Sequence, residues 1–221
     1  MLQVLDRNAH NGCTPDQLFP HVRAVLLASI HSTTTALTAT LKFVMQNSIV
    51  HQKLRQELKA AFRGDERVDL GAIQKLPYLN AVIDESLRLF PPIPLLGPRI
   101  SPGLELDGLF VNQSEEMMTS LYSLHRNPLY FPEPEKFVPE RWLESGADEQ
   151  RAALHPFSTG NRSCIGKHLA MQVLRLMIAR LVVEFDGRYE GDENDWTAEN
   201  QCYAVWEVPE CRVSWHIRSR E

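Results

Sequence analysis

Phe157-Ser158-Thr159-Gly160-Asn161-Arg162-Ser163-Cys164-Ile165-Gly166 is the stretch on which the reading of this chain turns. Ser158 to Asn161 are turn formers, and the apolar residues after Gly166 recur at helical spacing, so a tight loop is expected to deliver Cys164 to the start of a helix. Backbone N–H groups and the helix dipole favour an anion at such a position, and Arg162 adds a positive charge two residues away. A thiolate is therefore the chemistry this loop suits. Gly160 permits a turn with positive φ, and Gly166 leaves room for a large flat partner against the helix.

On the residues alone a plainer reading stays open, in which Cys164 is a small buried apolar side chain. Two others fail. A phosphate-binding loop needs four residues between its glycines and Ser or Thr after Lys, whereas five residues separate Gly160 from Gly166 and His168 follows Lys167. A cysteine phosphatase would place its arginine after the cysteine, and Arg162 precedes it.

Working outward, Thr14-Pro15-Asp16-Gln17 reads as a capped helix start, and Leu18, Val22, Val25, Leu26 and Ile30 continue at helical spacing, predicting one uninterrupted helix over 15–46. His31 to Thr35 place polar and β-branched residues in its middle, so the helix either distorts there or faces something polar. A second helix is expected over 48–62, with Val50, Leu54, Leu58 and Ala61 inward and Gly64 as its stop. A third spans 78–90, with Leu79, Val82, Ile83, Leu87 and Phe90 inward and Pro91-Pro92 as its end. Residues 93–138 read as short strands and irregular chain, among them Leu104–Leu106, Leu109–Val111 and Met117–Leu121. A last helix over 164–183 turns Leu169, Ala170, Val173, Leu174, Met177 and Leu181 inward. An acidic loop, 190–199, and strands at Tyr203–Glu207 and Arg212–Ile217 follow. The fold class is mainly α with small β-sheets.

Composition narrows the function. With 43% hydrophobic and 23% charged residues, 14 Pro and 11 Gly, the chain is neither disordered nor fibrous. A net charge of -5 and a pI near 5.9 leave no basic footprint for nucleic acid. The longest near-continuous apolar run, Ala24 to Ile30, is far short of the ~20 residues that cross a bilayer, and the start carries no basic-then-apolar signal, so neither an anchor nor export is expected. Cys13, Cys164, Cys202 and Cys211 are too scattered for a disulfide framework or a zinc site, which points to a reducing compartment.

Phe157, Gly160, Arg162, Cys164 and Gly166 together resemble the haem-binding loop FxxGxRxCxG of cytochromes P450. Glu85-Ser86-Leu87-Arg88 resembles the family's ExxR motif on its K helix, and Pro139-Glu140-Arg141-Trp142 its PERF motif, in the same order along the chain. His125-Arg126-Asn127-Pro128, with Phe131-Pro132-Glu133-Pro134 and Phe137, is similar to fungal microsomal members. The resemblance implies the carboxy-terminal part of the P450 fold: a distal helix over about 15–46, a K helix over 78–90, a meander over 125–156, the haem-thiolate loop 157–166 and a proximal helix over 164–183.

It also implies roles. Cys164 would be the iron ligand of haem b, with Phe157 beside the thiolate and Arg162 and Arg99 pairing with the haem propionates. Glu85, Arg88 and Arg141 would form a buried structural network, although periodicity alone sets Glu85 and Arg88 on an exposed face as an i,i+3 pair. On the distal helix, Ala28-Ser29-Ile30-His31-Ser32-Thr33 falls on the family's AGx(D/E)TT segment. Ser32 takes the place of the catalytic threonine, His31 that of the acid and Thr33 the position after; a slip of two residues brings up Thr34 instead. His31 is either a proton-delivery group or a polar core histidine.

The implied activity is monooxygenation of a lipophilic small molecule in fungal secondary metabolism. NADPH would supply electrons through NADPH-cytochrome P450 reductase or another donor, and Ile93 to Leu96 would line the pocket. The family implies the cytoplasmic face of the endoplasmic reticulum; the chain alone, without an anchor, implies the cytoplasm. Family members are considerably longer, so the amino-terminal half is expected to be supplied in trans or by a longer product. The alternative is a truncated, non-catalytic remnant that binds haem or a partner protein at most.

Overall fold

The computed structural model describes residues 14–62, 69–191, 201–202, 205–207 and 210–218. Helix α1 (Pro15–Gln46) starts at Thr14, whose Oγ1 accepts the Gln17 N–H (3.4 Å) while its own N–H donates to Gln17 Oε1 (3.0 Å). Pro20 lies inside the helix, in its second turn, so the backbone ladder is not free of proline there. The helix nevertheless passes through His31 to Thr35 without distortion. Ser32 Oγ donates to the Ala28 carbonyl (2.6 Å) and Thr34 Oγ1 to that of Ile30 (2.7 Å), so the hydroxyls are satisfied on the helix itself.

The two halves of α1 differ. Ala36, Ala39, Thr40, Lys42 and Val44 are buried, whereas Phe19, Val25, Leu26, Leu27 and Ile30 are exposed. Val25, Leu26 and Ile30, which carry the helical spacing, therefore lie outside the core, and the buried residues of the helix are those of its second half. By length and mean hydropathy α1 would suffice to cross a bilayer, because Leu, Val, Ile and Ala are many and charges few, but that second half is core helix.

Helix α2 (Ser48–Ala61) buries Val50, Leu54 and Leu58, with Ala61 exposed and the expected stop at Gly64 outside the described residues. Asp69 caps the short α3 (Leu70–Ile73) through the N–H groups of Gly71 and Ala72. Helix α4 (Pro77–Leu89) has no cap of its own; the Glu57 carboxylate of α2 takes the Tyr78 and Leu79 N–H groups, both at 2.8 Å. Nearly every side chain of α4 is buried, because helices and a later turn surround it.

The expected short strands of 93–138 are instead one long antiparallel hairpin, β1 (Leu95–Leu106) with β2 (Leu109–Ser120). Pro98, Pro102 and Gly103 read as breaks in the sequence. The pairing absorbs them by register shifts between Leu96 and Arg99 and between Ile100 and Pro102. Asp107 (φ 53°) and Gly108 (φ 81°) make the two-residue turn.

After α5 (Leu121–Leu124) come irregular chain, a 3-10 turn at Pro139–Trp142, α6 (Asp148–Ala153) and the cysteine loop. Helix α7 (Lys167–Glu184) follows, with strands β3 (Phe185–Tyr189), β4 (Gln201–Cys202), β5 (Trp206–Glu207) and β6 (Val213–Ile217). Strand β3 pairs with β6 and β4 with β5, both antiparallel. The architecture is mainly α with small β-sheets.

The core lies where α1, α2, α4 and α7 meet, around Val44, Leu54, Leu79, Ile83, Leu174 and Ile178. Met171, Leu174, Ile178, Ala179 and Val182 are the buried residues of α7, while Leu169 and Met177 are exposed. Of the expected stripe only Leu174 is fully buried. The helix is apolar on more than one side, so spacing alone does not select the face that α2 and α4 cover. Leu174→Ala is expected to cost about 2–5 kcal/mol in urea unfolding, and Leu169→Ala no more than about 0.5 kcal/mol; equal costs would return the choice of face to the sequence stripe.

Candidate functional site

Glu85 and Arg88 stand one turn apart on α4 with wholly buried side chains, not on an exposed face. Two charges in a dry interior are tolerated only when their hydrogen-bonding capacity is filled. Here it is. Glu85 Oε1 accepts Arg88 Nη2 (2.9 Å), Arg141 Nε (3.0 Å) and the Val138 N–H (2.9 Å), and Oε2 accepts Arg88 Nε (2.9 Å) and Trp142 Nε1 (3.0 Å). Arg88 also donates to the carbonyls of His125 (2.8 Å), Pro134 (2.6 Å) and Lys136 (3.0 Å), and Arg141 to that of Pro132 (3.0 Å). One carboxylate faces two guanidiniums, and the carbonyl dipoles offset the surplus positive charge. The result clamps residues 125–142 against α4.

His125 extends the clamp. Its ring is buried, and Nε2 accepts the backbone N–H of His155 (3.1 Å). Burial, with the charges of Arg88 and Arg126 and the neighbouring His155, lowers its pKa from 6.5 to about 4.

The cysteine loop starts two residues beyond His155. Ser158 (φ 57°) and Gly160 (φ 65°) both take the left-handed conformation, Gly160 to Arg162 form a 3-10 turn, and the Cys164 N–H closes the loop on the Phe157 carbonyl (2.9 Å). The half-buried Phe157 packs against the main core and fixes the loop's base, with Lys167 Nζ 5.8 Å from its ring centroid. Helix α7 begins at Lys167 with Gly166 as its cap, so Cys164 stands two residues outside the helix and not at its first turn. Cys164 is exposed, which sets aside the buried apolar reading, and Ile165 beside it is 99% exposed.

The loop leaves room for a flat group beside the cysteine. A Cβ built on Gly166 would meet only Cys164 Sγ, at 3.8 Å, and one on Gly160 would meet nothing within 4 Å, so the backbone around the sulfur is open. Among the described residues no three His, Cys, Asp or Glu side chains cluster as metal ligands. Arg162 is exposed and makes no hydrogen bond or ion pair among the described residues. Arg99, exposed on β1, donates to the carbonyls of Gly97 (2.9 Å) and Pro98 (3.2 Å).

The structure gathers Glu85, Arg88 and Arg141 into one cluster and sets Phe157, Gly160, Arg162, Cys164 and Gly166 on one loop. Arg99 stands on the hairpin, and His31, Ser32 and Thr33 on α1. His31 is exposed among the described residues, with Nδ1 3.3 Å from Thr35 Oγ1; Ser32 and Thr33 are half-buried. Ile93 and Leu95 are exposed and Leu96 half-buried. Sequence reasoning missed Trp142, Val138 and His125 as members of the clamp. A tryptophan next to Arg141 was the available signal, since a buried indole N–H needs an acceptor.

Two outcomes are expected in unfolding experiments. Arg141→Lys should lose nearly as much as Arg141→Ala, about 3–5 kcal/mol, because an ammonium cannot reproduce the planar fork. His125 is neutral in the fold and more basic when unfolded, so its contribution is full above pH 6.5 and falls as the pH drops towards about 4. His125→Gln should flatten that part of the stability profile; an unchanged slope would contradict the burial.

The cytochrome P450 family model matches residues 1–212. Cytochrome P450 monooxygenase astJ of Aspergillus oryzae is 34% identical over 223 residues, which cover 98% of this chain and 44% of that protein. Cytochrome P450 monooxygenase lnbC of Aspergillus flavus is 35% identical, with 89% of this chain and 40% of that protein covered. Averantin hydroxylase of Dothistroma septosporum is 32% identical, with 92% and 40% covered. The chain thus spans about two fifths of the length of these relatives. With the clamp, the cysteine loop and the family match on one chain, it belongs to the cytochrome P450 family and carries its carboxy-terminal part.

Proposed function

We propose that Cys164 is the thiolate ligand of a haem b iron, and that the polypeptide carrying it inserts one oxygen atom of O2 into a lipophilic small molecule in fungal secondary metabolism. The observation that carries the reading is the loop: an exposed cysteine on a closed turn, with open space at Gly160 and only the cysteine sulfur itself beside Gly166. Bound there, a haem with thiolate ligation supplies the iron chemistry that cleaves dioxygen, favoured by electron density from the sulfur. Substrate C–H, O2, two electrons and two protons become an alcohol and water, with electrons from NADPH through a reductase.

The chain's own residues have separate tasks. The hydrogen bond from the Cys164 N–H to the Phe157 carbonyl fixes the backbone that carries Sγ, and the Phe157 ring, anchored on the main core, would limit water at the thiolate. Arg162 and Arg99 offer planar donor forks to the haem carboxylates. For Ser32 to donate a proton outward, its hydroxyl must leave the Ala28 carbonyl; Thr33 and Thr34 are the neighbouring hydroxyls, and His31 is the adjacent ionisable group. Ile93 and Leu95, exposed after α4, suit an apolar substrate. The bare apolar face of α1, from Phe19 to Ile30, supports an amino-terminal region packed there, in cis or in trans. Work at the cytoplasmic face of the endoplasmic reticulum follows from the family.

Reconstitution with haem, followed by reduction under carbon monoxide, should give the red-shifted Soret band of thiolate ligation. Cys164→Ala should lose that band and Cys202→Ala keep it. A band that survives Cys164→Ala would overturn the assignment.

A further inference from the structure

We infer that His125 is the positioning residue of the cysteine loop, its imidazole coupling the buried Glu85–Arg88 clamp to the segment that presents Cys164. The functional meaning of this coupling rests on Cys164 being the iron ligand. The residue is held at both ends: its carbonyl accepts Arg88 Nη1 (2.8 Å), and its ring Nε2 accepts the His155 N–H (3.1 Å). A backbone N–H can only donate, so Nε2 carries a lone pair and the proton of the neutral ring sits on Nδ1.

Nδ1 is buried without a hydrogen-bond partner. An apolar ring of the same size would fill this place, edge-on to Phe131 (centroids 6.5 Å apart), without burying an unpaired donor. What the imidazole adds is therefore the acceptor for His155.

From there the loop is bonded in series. The His155 carbonyl takes the Ser158 N–H (3.0 Å), the Phe157 carbonyl takes that of Cys164 (2.9 Å), and the Cys164 carbonyl takes that of Lys167 (3.3 Å) at the start of α7. The other anchor is the Phe157 ring in the core. The charged or titratable groups around the imidazole are Arg88 from α4, Arg126 from its own segment and His155 from the loop, while Glu85 is engaged by Arg88 and Arg141. Burial and the positive charges of Arg88, Arg126 and His155 disfavour a charged imidazole, and they outweigh the Arg88 backbone carbonyl, which favours it, so the lone pair that His155 requires is kept.

The test compares His125→Phe, which keeps a ring but has no acceptor, with His125→Gln, whose amide oxygen can accept but cannot titrate. Amide hydrogen exchange is read in the 221-residue chain without haem. In His125→Phe the His155 and Cys164 amides should exchange at least about tenfold faster, while the Val138 amide, bonded to Glu85, stays near its wild-type rate. His125→Gln should restore most of the protection.

Unchanged exchange at Cys164, equal loosening at Val138, or failure of glutamine to rescue would overturn the inference. If His125→Phe does not fold, the ring nitrogen shifts of the wild type at neutral pH decide: a proton on Nδ1 supports the inference and one on Nε2 overturns it. After haem loading, the thiolate-type carbon monoxide band should shrink in His125→Phe and return in His125→Gln. A wild type lacking that band, with the exchange pattern intact, would remove Cys164 as ligand and leave the coupling standing; the band without the exchange pattern would remove the coupling alone.

Discussion

The Glu85 carboxylate, buried on α4 with five donors around it, is the interaction on which the surrounding chain depends. Two of those donors belong to Arg88 on the same helix; the others come from Val138, Arg141 and Trp142, more than 50 residues later. Residues 125–142 have little regular structure. Phe131 and Trp142 bury themselves with Ala81 and Ala153, and Phe137 packs on the main core, while the segment's backbone carbonyls are gathered by Arg88 and Arg141. A charge-assisted hydrogen bond is stronger than a neutral one, and in a dry site the loss of any single partner exposes the cost of the rest. The clamp is therefore a cooperative unit.

The chemistry-bearing loop inherits its place from that unit. The clamp fixes the carbonyl of His125, the His125 ring receives His155, and the loop closes through Phe157 onto Cys164 before α7 begins. None of these steps needs the cysteine to sit on the helix, which explains how it can stand two residues upstream of the cap and still be fixed in direction. Further along, Trp206 ties the carboxy-terminal region back to the end of α4, its indole N–H on the Pro91 carbonyl (2.8 Å) and its ring stacked on Phe90.

Much of this was legible in the sequence where local chemistry decides, and not where packing does. The Thr14–Gln17 cap, the core positions of α2 and the positive φ of Gly160 follow from residue type and spacing. The face of α7 did not, since a helix apolar on several sides has no preferred stripe until its neighbours arrive. Glu85 and Arg88 lie off the apolar stripe of α4 and periodicity exposes them; only the later chain folding over that side buries them. The hairpin was hidden because Pro98, Pro102 and Gly103 look like breaks until bulges accommodate them. On α1, hydropathy was legible but not its use: half of it faces the core, and half presents Phe19, Val25, Leu26 and Ile30 to whatever covers it.

The most direct test of the clamp is the unfolding free energy of Glu85→Gln in urea, followed by the fluorescence of Trp142 and the other tryptophans. The amide keeps the volume but removes the charge and turns one acceptor into a donor facing arginine and indole N–H groups. A loss of about 3–5 kcal/mol is expected, as for other buried pairs deprived of one partner. A stability within about 0.5 kcal/mol of wild type, the range of an ordinary surface substitution, would contradict the dependence of the surrounding chain on this carboxylate.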